Sequence, residues 1–195
     1  MGIKPILFNT DMVRAILDGK KTVTRRIVKP QPSYVLTQEE VKAWALSGAD
    51  PYGMRVAPTY NELLTTVPYK PGDILYVRET WAPWSRTYGT MPTIHYRADS
   101  ENLPGVIWKP SIHMPKEIAR LWLKVTRVRM ERLQDMTVDD VLHEGTSILK
   151  GFEDFKKLWD STLKGVDISK YGWDTNPYVW VIELERCEKP KEETV

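Results

Sequence analysis

The chain contains few of the residues that build covalent cross-links or metal sites. It has one cysteine, Cys187, and three histidines among its 195 residues. A single cysteine excludes an internal disulfide and a cysteine-based zinc cluster, and it is typical of a protein from a reducing compartment. The histidines lie far apart without the spacing of metal ligands, so we expect no metal and no other cofactor.

The chain also lacks long apolar runs and a strong net charge. No apolar run approaches the roughly 18 residues of a membrane span, and the start MGIKPILFNTDM has no apolar core of a signal peptide. We therefore expect a cytoplasmic protein with no membrane partner. The formal net charge of +2 is too small to require a nucleic-acid partner, so any such binding must depend on local basic clusters.

The composition is that of a globular protein, with 42% hydrophobic and 28% charged residues. We expect one domain over residues 1–195, with insertions at about 29–68 and 85–110 and a polar C-terminal tail at 187–195. The predicted order is helix, strand, insertion, two strands, two helices and a closing strand. This order does not alternate as βαβ units do, so it indicates an α+β fold with a small curved or closed sheet.

Several segments carry the signals of helix ends. In NTDMVRAILDG, Asn9 or Thr10 can cap a helix that Gly19 ends. In MTVDDVLHEG, Thr137 and Asp140 have the spacing of a capping box. The segments TQEEVKAWALSG and FEDFKKLWDS predict two more helices.

The segment RLWLKVTRVRMERL is the clearest strand in the sequence. Leu121, Leu123 and Val125 alternate, and the apolar phase then shifts to Val128 and Met130. A shift of this kind within one strand predicts a bulge or a bend, which is common at the corners of small barrels.

The basic segment GKKTVTRR indicates a strand with one polar and one apolar face. Val23 and Ile27 fall on the face expected to pack on the core, whereas Thr24 and Arg26 fall together on the polar face. For the two lysines, an alternative interpretation is that they are cations at the negative end of the preceding helix.

A second polar group follows from YKPGDILYVRETW and KPSIHMP. Arg78 suits bidentate contact with a phosphate, and Trp81 at the strand end could stack on a base. Glu79, Ser111 and His113 are further candidates for the same cleft. The alternatives are charges on a solvated strand face and a tryptophan packed in the core.

The ordered blocks of the sequence resemble the ASCH domain, a family of the PUA-like superfamily. The blocks are ILDGKKTVTRR, YKPGDILYVRETW, LKVTRVRMERLQDMT with the later HEG, and WVIELE; they cover about half of the chain. VRETW and KPSIHMP look like the larger members from phages and bacteria. The resemblance implies a PUA-like small β pseudo-barrel of five or six strands, flanked by short helices. It also implies a cleft, which in relatives binds RNA or a modified nucleobase.

Small members of this family include amidohydrolases that remove the acyl group from N4-acetylcytidine. By position in the motifs, the resemblance implies that Lys21, Thr24 and Glu144 are catalytic and that Arg26 matches a further motif arginine. Thr24 could be the nucleophile, and Lys21 could be the base only with a pKa well below its usual value of about 10.4. Burial and the neighbouring Arg25 and Arg26 favour such a shift. In a straight strand Lys21 and Thr24 point to opposite faces, so they converge only if the backbone turns between them.

Two functional classes therefore stay open. The first is a binding module that holds RNA or a modified nucleobase or nucleoside in a basic cleft, with Arg25 and Arg26 among the contacts. The second is an amidohydrolase that acts on N4-acylated cytidine. A ribonuclease activity has little support, because the sequence shows no histidine pair and no carboxylate cluster.

Overall fold

A computed structural model of the chain describes residues 2–32, 63, 65–84, 93–100, 103–146, 151–163 and 165–191. Within these residues the strands are β1 (Ile3–Leu7), β2 (Val23–Ile27), β3 (Ile74–Arg78), β4 (Trp81–Trp84), β5 (Thr93–Tyr96), β6 (Trp122–Arg132) and β7 (Tyr178–Cys187). The α-helices are α1 (Thr10–Leu17), α2 (Val138–His143), α3 (Gly151–Ser161) and α4 (Ile168–Tyr171). Short 3₁₀ helices lie at Ser111–His113, Lys116–Ile118, Leu133–Asp135, Gly165–Asp167 and Trp173–Thr175.

The strands form a five-stranded sheet and a separate two-stranded sheet. The larger sheet has the order β1-β3-β6-β7-β2, in which β1 and β3 are parallel and the other pairs are antiparallel. The smaller sheet pairs β4 with β5. The α+β fold predicted from the sequence, a small sheet flanked by short helices, is confirmed.

The longest strand of the larger sheet, β6, contains a bulge. The register between β6 and β7 shifts between Val125 and Arg127, at the point where the apolar phase of the sequence changes. The two edge strands approach each other at one end, where the Arg26 side chain on β2 donates to the Leu7 carbonyl on β1 at 3.4 Å. The fold is thus a pseudo-barrel that a side chain, and not a strand ladder, joins between β1 and β2.

The main core lies on one face of this sheet. It consists of apolar residues from β1, β3, β6 and β7, against which α1 packs. A second apolar cluster joins the other face of β2 and β7 to α2 and α3. The largest fully buried side chains of the main core are Trp180, Ile6, Ile16, Leu75, Leu123 and Ile182.

Local sequence signals explain where α1 and α2 begin. The Asn9 side chain accepts a hydrogen bond from the Met12 N–H at 2.8 Å and so caps α1. The predicted capping box between Thr137 and Asp140 is present at the start of α2. Both helices therefore begin where the sequence predicts.

One element of the sheet is not predictable from the sequence pattern. β1 contains Pro5, which argues against a strand, but it lies at the edge of the sheet, where a missing N–H is tolerated. The helix predicted at 37–48 lies outside the described residues. The division of the chain into one domain with two insertions stays a prediction.

Candidate functional site

Polar side chains are buried where the start of β2 meets the end of α2. Lys21, Thr24, Arg25 and Glu144 are buried, and Arg26 is half-buried beside them; we call these five residues the inner cluster. All of them except Lys21 line one pocket with a cavity volume of about 30 Å³. The structure therefore brings together the three residues that the resemblance implies as catalytic and two arginines expected to bind a ligand.

Lys21 is the most deeply buried cation of the inner cluster, with a side-chain exposure of 0%. Its Nζ lies 2.5 Å from Oε2 of Glu144, 3.0 Å from the Glu144 carbonyl and 2.8 Å from the Val23 carbonyl. These acceptors match the three donors of an ammonium group. Burial lowers the pKa of Lys21; Glu144 opposes this shift in part, and the charges of Arg26 and Arg25 add to it.

The turn after α1 decides which of the two lysines enters the cluster. Gly19 has a φ of +72°, and the N–H groups of Lys20 and Lys21 both donate to the Ala15 carbonyl, at 2.8 and 3.0 Å. Lys20 stays exposed, whereas Lys21 forms a β-bridge with Glu144. The interpretation of the lysines as cations at a helix end therefore fits Lys20 and does not fit Lys21.

Glu144 is the C-cap residue of α2, and Gly145 allows its close approach to α1. Gly145 has a φ of +86°, and a Cβ there would lie 2.6 Å from the Cβ of Ala15 and 3.1 Å from the Cβ of Lys21. No other residue fits this position without a displacement of α1 or α2. The glycine of the HEG motif is therefore what places the Glu144 carboxylate on the Lys21 amine.

Thr24 and Arg26 lie together on the pocket, as the alternation in TVTRRIV predicts. Nη1 of Arg26 donates to Oγ1 of Thr24 at 3.1 Å. The Phe8 ring lies beneath both cations of this region, 5.7 Å from the Arg26 guanidinium and 5.6 Å from Nζ of Lys21. The Tyr69 phenol also interacts with Arg26, which opposes the rise that burial causes in the Tyr69 pKa. Sequence reasoning missed Phe8 and Tyr69, although Tyr69 is the first residue of the block YKPGDILYVRETW.

The Arg25 guanidinium, which also lines the pocket, is bound to carboxylates. Its Nη1 donates to Glu144 at 3.1 Å, its Nη2 and Nε donate to Glu131 at 2.7 and 3.2 Å, and Asp140 lies 3.3 Å from Nη2. Sequence reasoning missed Glu131 and Asp140 as neighbours of the site. The signal that could have found them is charge: two adjacent arginines in a half-buried strand require nearby carboxylates.

The other side of the pocket is an apolar wall. It is formed by one face of α3 and by Met12 of α1, where Met12 and Leu158 are half-buried and the two aromatic rings are buried. A cavity of about 30 Å³ holds about two water molecules, so a ring-sized ligand must also use the mouth of the pocket or displace this wall. The residues of α3 and its end that line the pocket are Phe155, Leu158, Trp159 and Thr162.

The second predicted group is built around Arg78, at the end of β3. Nε of Arg78 donates to the Met114 carbonyl at 2.9 Å, and its Nη2 donates to the Ile112 carbonyl. Glu79 is 1% exposed and accepts two hydrogen bonds from Arg120, at 2.9 and 3.0 Å. We use the name Arg78 cluster for Arg78, Glu79, Arg120 and residues 112–114, whose backbone Arg78 binds. In this cluster Glu79 and Arg120 form an ion pair, and Arg78 anchors the backbone of residues 112–114.

The aromatic and polar candidates near the Arg78 cluster lie in different settings. Trp81 is 8% exposed, and Nζ of Lys109 lies 5.0 Å over its ring, so Trp81 packs in the core as the alternative interpretation has it. Ser111 and His113 lie in a 3₁₀ helix, with Ser111 half-buried and His113 exposed. No hydrogen bond or ion pair of the described residues joins these three side chains to the inner cluster.

Two further properties concern the described part of the chain as a whole. None of its helices has both the length and the apolar character needed to cross a membrane. None of its His, Cys, Asp and Glu side chains form a group of three or more that could hold a metal ion.

Comparisons with known proteins give distant structural similarities. No family model and no curated protein matches the chain. The chain is similar to the crystal structure of an ASCH domain from Lactobacillus crispatus, with 10% identity, coverage of 95% of this chain and 79% of that chain, and a TM-score of 0.44. It is also similar to a DUF984 protein from Enterococcus faecalis, with 8% identity, coverage of 96% and 76%, and a TM-score of 0.43.

Proposed function

We propose that this protein is an ASCH-type module whose inner cluster binds a modified nucleobase or nucleoside, free or within RNA. The observation that carries the proposal is the convergence of Thr24, Arg26 and Glu144 on one pocket with an apolar wall opposite. Buried polar groups that line a cavity are typical of a small-molecule site and are costly elsewhere in a core.

The pocket has the chemistry that a nucleobase edge requires. The Thr24 hydroxyl accepts from Arg26 and keeps its hydrogen for an acceptor on a ligand, while the Glu144 carboxylate accepts from a ring or exocyclic N–H. The flat apolar faces of a base suit the wall formed by α3 and Met12. Arg26 supplies positive charge for a phosphate when the base is part of RNA.

The contacts of Lys21 favour binding over catalysis. Its Nζ already donates to three acceptors, and within the described residues no hydrogen bond joins it to Oγ1 of Thr24. A base must face the proton that it removes, within about 2.6–3.2 Å or through one water molecule. In this arrangement Lys21 holds Glu144 in place and does not activate Thr24.

A second candidate function is hydrolysis of an N4-acylated cytidine. The observation that favours it is the burial of Lys21, which lowers its pKa toward the neutral amine that a base needs, 2.5 Å from Glu144. Thr24 would then be the nucleophile, and Arg26 would donate to the oxygen on which negative charge develops. This function requires Lys21 or a water molecule to reach Oγ1 of Thr24 after the ligand binds.

Calorimetric titration with N4-acetylcytidine and with a short RNA that contains it tests the proposal. We expect binding, an affinity for the RNA that falls as salt rises, and a loss of about tenfold or more in Arg26→Ala, since hydrogen bonds to charged groups contribute about 1.5–3 kcal/mol. Arg127→Ala removes an arginine that is 68% exposed in its side chain and serves as the matched control. Absence of binding, or equal losses in the two variants, contradicts the proposal.

The same samples separate the two candidate functions. Chromatography of the mixture after incubation shows whether cytidine and acetate form. Binding without turnover supports the module alone. Turnover that Thr24→Ala and Lys21→Ala both abolish, with binding retained in Thr24→Ala, supports the hydrolase.

A further inference from the structure

A continuous array of ion pairs runs from the inner cluster to the protein surface. Arg25 lies at its centre, and Arg129 on β6 lies one step further out. Each carboxylate in the array except Glu183, at its outer end, contacts a cation on either side of it, and the array crosses β2, α2, β6 and β7. We call it the ion-pair array. Its members from the inside outward are Lys21, Glu144, Arg25, the two carboxylates Glu131 and Asp140 that both bridge Arg25 to Arg129, then Arg129 and Glu183.

The Arg25 guanidinium is enclosed by this array. Its side chain is 1% exposed, and its Nε, Nη1 and Nη2 all contact carboxylate oxygens within 3.3 Å. A guanidinium whose three nitrogens all contact carboxylates has little capacity left for a ligand. Although its side chain lines the pocket, Arg25 therefore acts on a ligand through Glu144 and not by its own hydrogen bonds.

We propose that Arg25 is a positioning residue. It binds one oxygen of the Glu144 carboxylate and leaves the other oxygen to Lys21, and the rest of the ion-pair array holds Arg25 in place. Oε2 of Glu144 contacts Lys21 at 2.5 Å, and its Oε1 contacts Arg25 at 3.1 Å. The carboxylate is thereby fixed in orientation, and Lys21 receives one oxygen instead of two. The consequence for ligand affinity rests on the proposed function, whereas the consequence for the charge of Lys21 does not.

The position of Glu144 explains why it needs two cations. It caps the C-terminus of α2, where the helix dipole disfavours a carboxylate, and it is 4% exposed. A carboxylate buried in this way is stable only if it is paired and hydrogen-bonded. Lys21 and Arg25 supply the two charges from the same strand region, before and within β2.

Arg129 offsets part of the negative charge in the outer part of the array, where it is the cation shared by three carboxylates. It donates to Glu131 and Asp140, each at 3.2 Å, and to Glu183 at 2.6 Å. Without it, Glu131 and Asp140 would be two carboxylates that share one cation, and they would draw Arg25 away from Glu144. Arg129 is therefore a second positioning residue, which acts at one remove from the pocket.

Titration of Lys21 by NMR, in protein labelled with ¹³C at lysine, tests the proposal without a ligand. The charged groups that face Lys21 are Glu144 from α2 and Arg25 and Arg26 from β2; the Phe8 ring that lies beneath it is uncharged. In Arg25→Gln, Lys21 loses a repelling charge and gains the freed Glu144 oxygen. Its titration midpoint should therefore rise by about one pH unit or more.

Conservative and remote variants distinguish positioning from a general loss of structure. Arg25→Lys retains the charge and should keep the midpoint near that of the wild type. Arg129→Gln should raise the midpoint by a smaller amount, and it tests the array if Arg25→Gln does not fold. Arg127→Gln, which removes a 3.9 Å contact at the exposed end, should leave the midpoint unchanged.

Two results would overturn the proposal. One is a midpoint in both Arg25→Gln and Arg129→Gln that equals the wild-type value. The other is an NMR signal of wild-type Lys21 that stays at the chemical shift of the ammonium form up to the pH at which the protein unfolds. Lys21 would then be charged in the folded protein at every pH, and Arg25 would not limit how strongly Glu144 stabilises that charge.

A double-mutant cycle with N4-acetylcytidine connects the array to binding. If Arg25 acts only through Glu144, Arg25→Gln weakens binding in the wild-type background and has no further effect in Glu144→Gln. Equal effects in both backgrounds contradict positioning. A shifted Lys21 midpoint with no binding by any variant means that the array is correct and the proposed function is wrong.

Discussion

The inner cluster and the Arg78 cluster use the same residue types to different ends. Each contains a buried glutamate bound by an arginine, Glu144 by Arg25 and Glu79 by Arg120. In the Arg78 cluster the Glu79 charge is matched by a cation that is 25% exposed, and Arg78 donates to backbone carbonyls. In the inner cluster the cations outnumber the nearest carboxylate, and polar groups line a cavity.

This difference shows what distinguishes a candidate site from a structural ion pair. A motif such as VRETW places an arginine and a glutamate side by side, but here Arg78 donates to two backbone carbonyls and both Glu79 oxygens accept from Arg120. A site requires polar atoms that still face a cavity after the internal pairs have formed. Three pairs of matched substitutions, one member in each region, test this comparison.

Removal of the two buried glutamates should give the largest contrast. Glu144→Ala leaves Lys21 and Arg25 buried without their shared carboxylate, and loss of one partner of a buried ion pair costs about 3–5 kcal/mol. Glu79→Ala leaves Arg120, which still reaches Asp99 at 2.7 Å, so we expect a cost of about 1–3 kcal/mol. Urea denaturation of both variants measures the difference.

The same pair also separates stability from binding. Glu144→Ala should lose the affinity for N4-acetylcytidine, whereas Glu79→Ala should keep it when the folded fractions are equal. Equal destabilisation together with equal loss of affinity would remove the distinction between the two clusters.

Two glycines with positive φ provide a test of intermediate size. Gly145→Ala introduces backbone strain and a Cβ 2.6 Å from that of Ala15, next to the inner cluster. Gly105→Ala, in the segment before the Arg78 cluster, has a φ of +77° but no atom within 4 Å of the added Cβ. Gly105→Ala should cost about 1–2 kcal/mol from backbone strain alone, and Gly145→Ala should cost clearly more.

Thermal unfolding of the two alanine variants measures this difference. If Gly145→Ala is no more destabilising than Gly105→Ala, the contact between α1 and the end of α2 is not tight. The account of how Glu144 is placed would then be wrong.

Two tryptophans should show the smallest contrast. Nε1 of Trp159, in the wall of the pocket, donates to the Tyr171 carbonyl at 2.8 Å, whereas Nε1 of Trp81 is buried and has no hydrogen-bond partner among the described residues. Trp159→Phe and Trp81→Phe remove the same ring area, but only the first removes a hydrogen bond. We expect Trp159→Phe to be more destabilising by about 1 kcal/mol. Equal denaturation midpoints for the two variants contradict this expectation.

Much of the fold follows from signals that lie within a few residues of each other. Asn9 and Thr137 cap their helices because each cap side chain accepts from the N–H of the residue three positions later. The bulge in β6 follows from the apolar phase shift between Val125 and Val128, because side chains alternate along a strand. β1 is missed because Pro5 is acceptable only at a sheet edge, and sequence periodicity does not show where a strand lies in the sheet.

The candidate site also has features that depend on local sequence and features that depend on the tertiary structure. The sequence alone determined that Thr24 and Arg26 share a face and that Glu144 ends a helix before a glycine, since both depend on local geometry. Only the tertiary structure decided that Lys21 is buried while Lys20 is exposed, and that Arg25 is held by Glu131, which lies 106 residues away. The physical reason is that a buried charge selects its partner from whatever the folded chain brings within about 4 Å, and sequence spacing does not encode that distance.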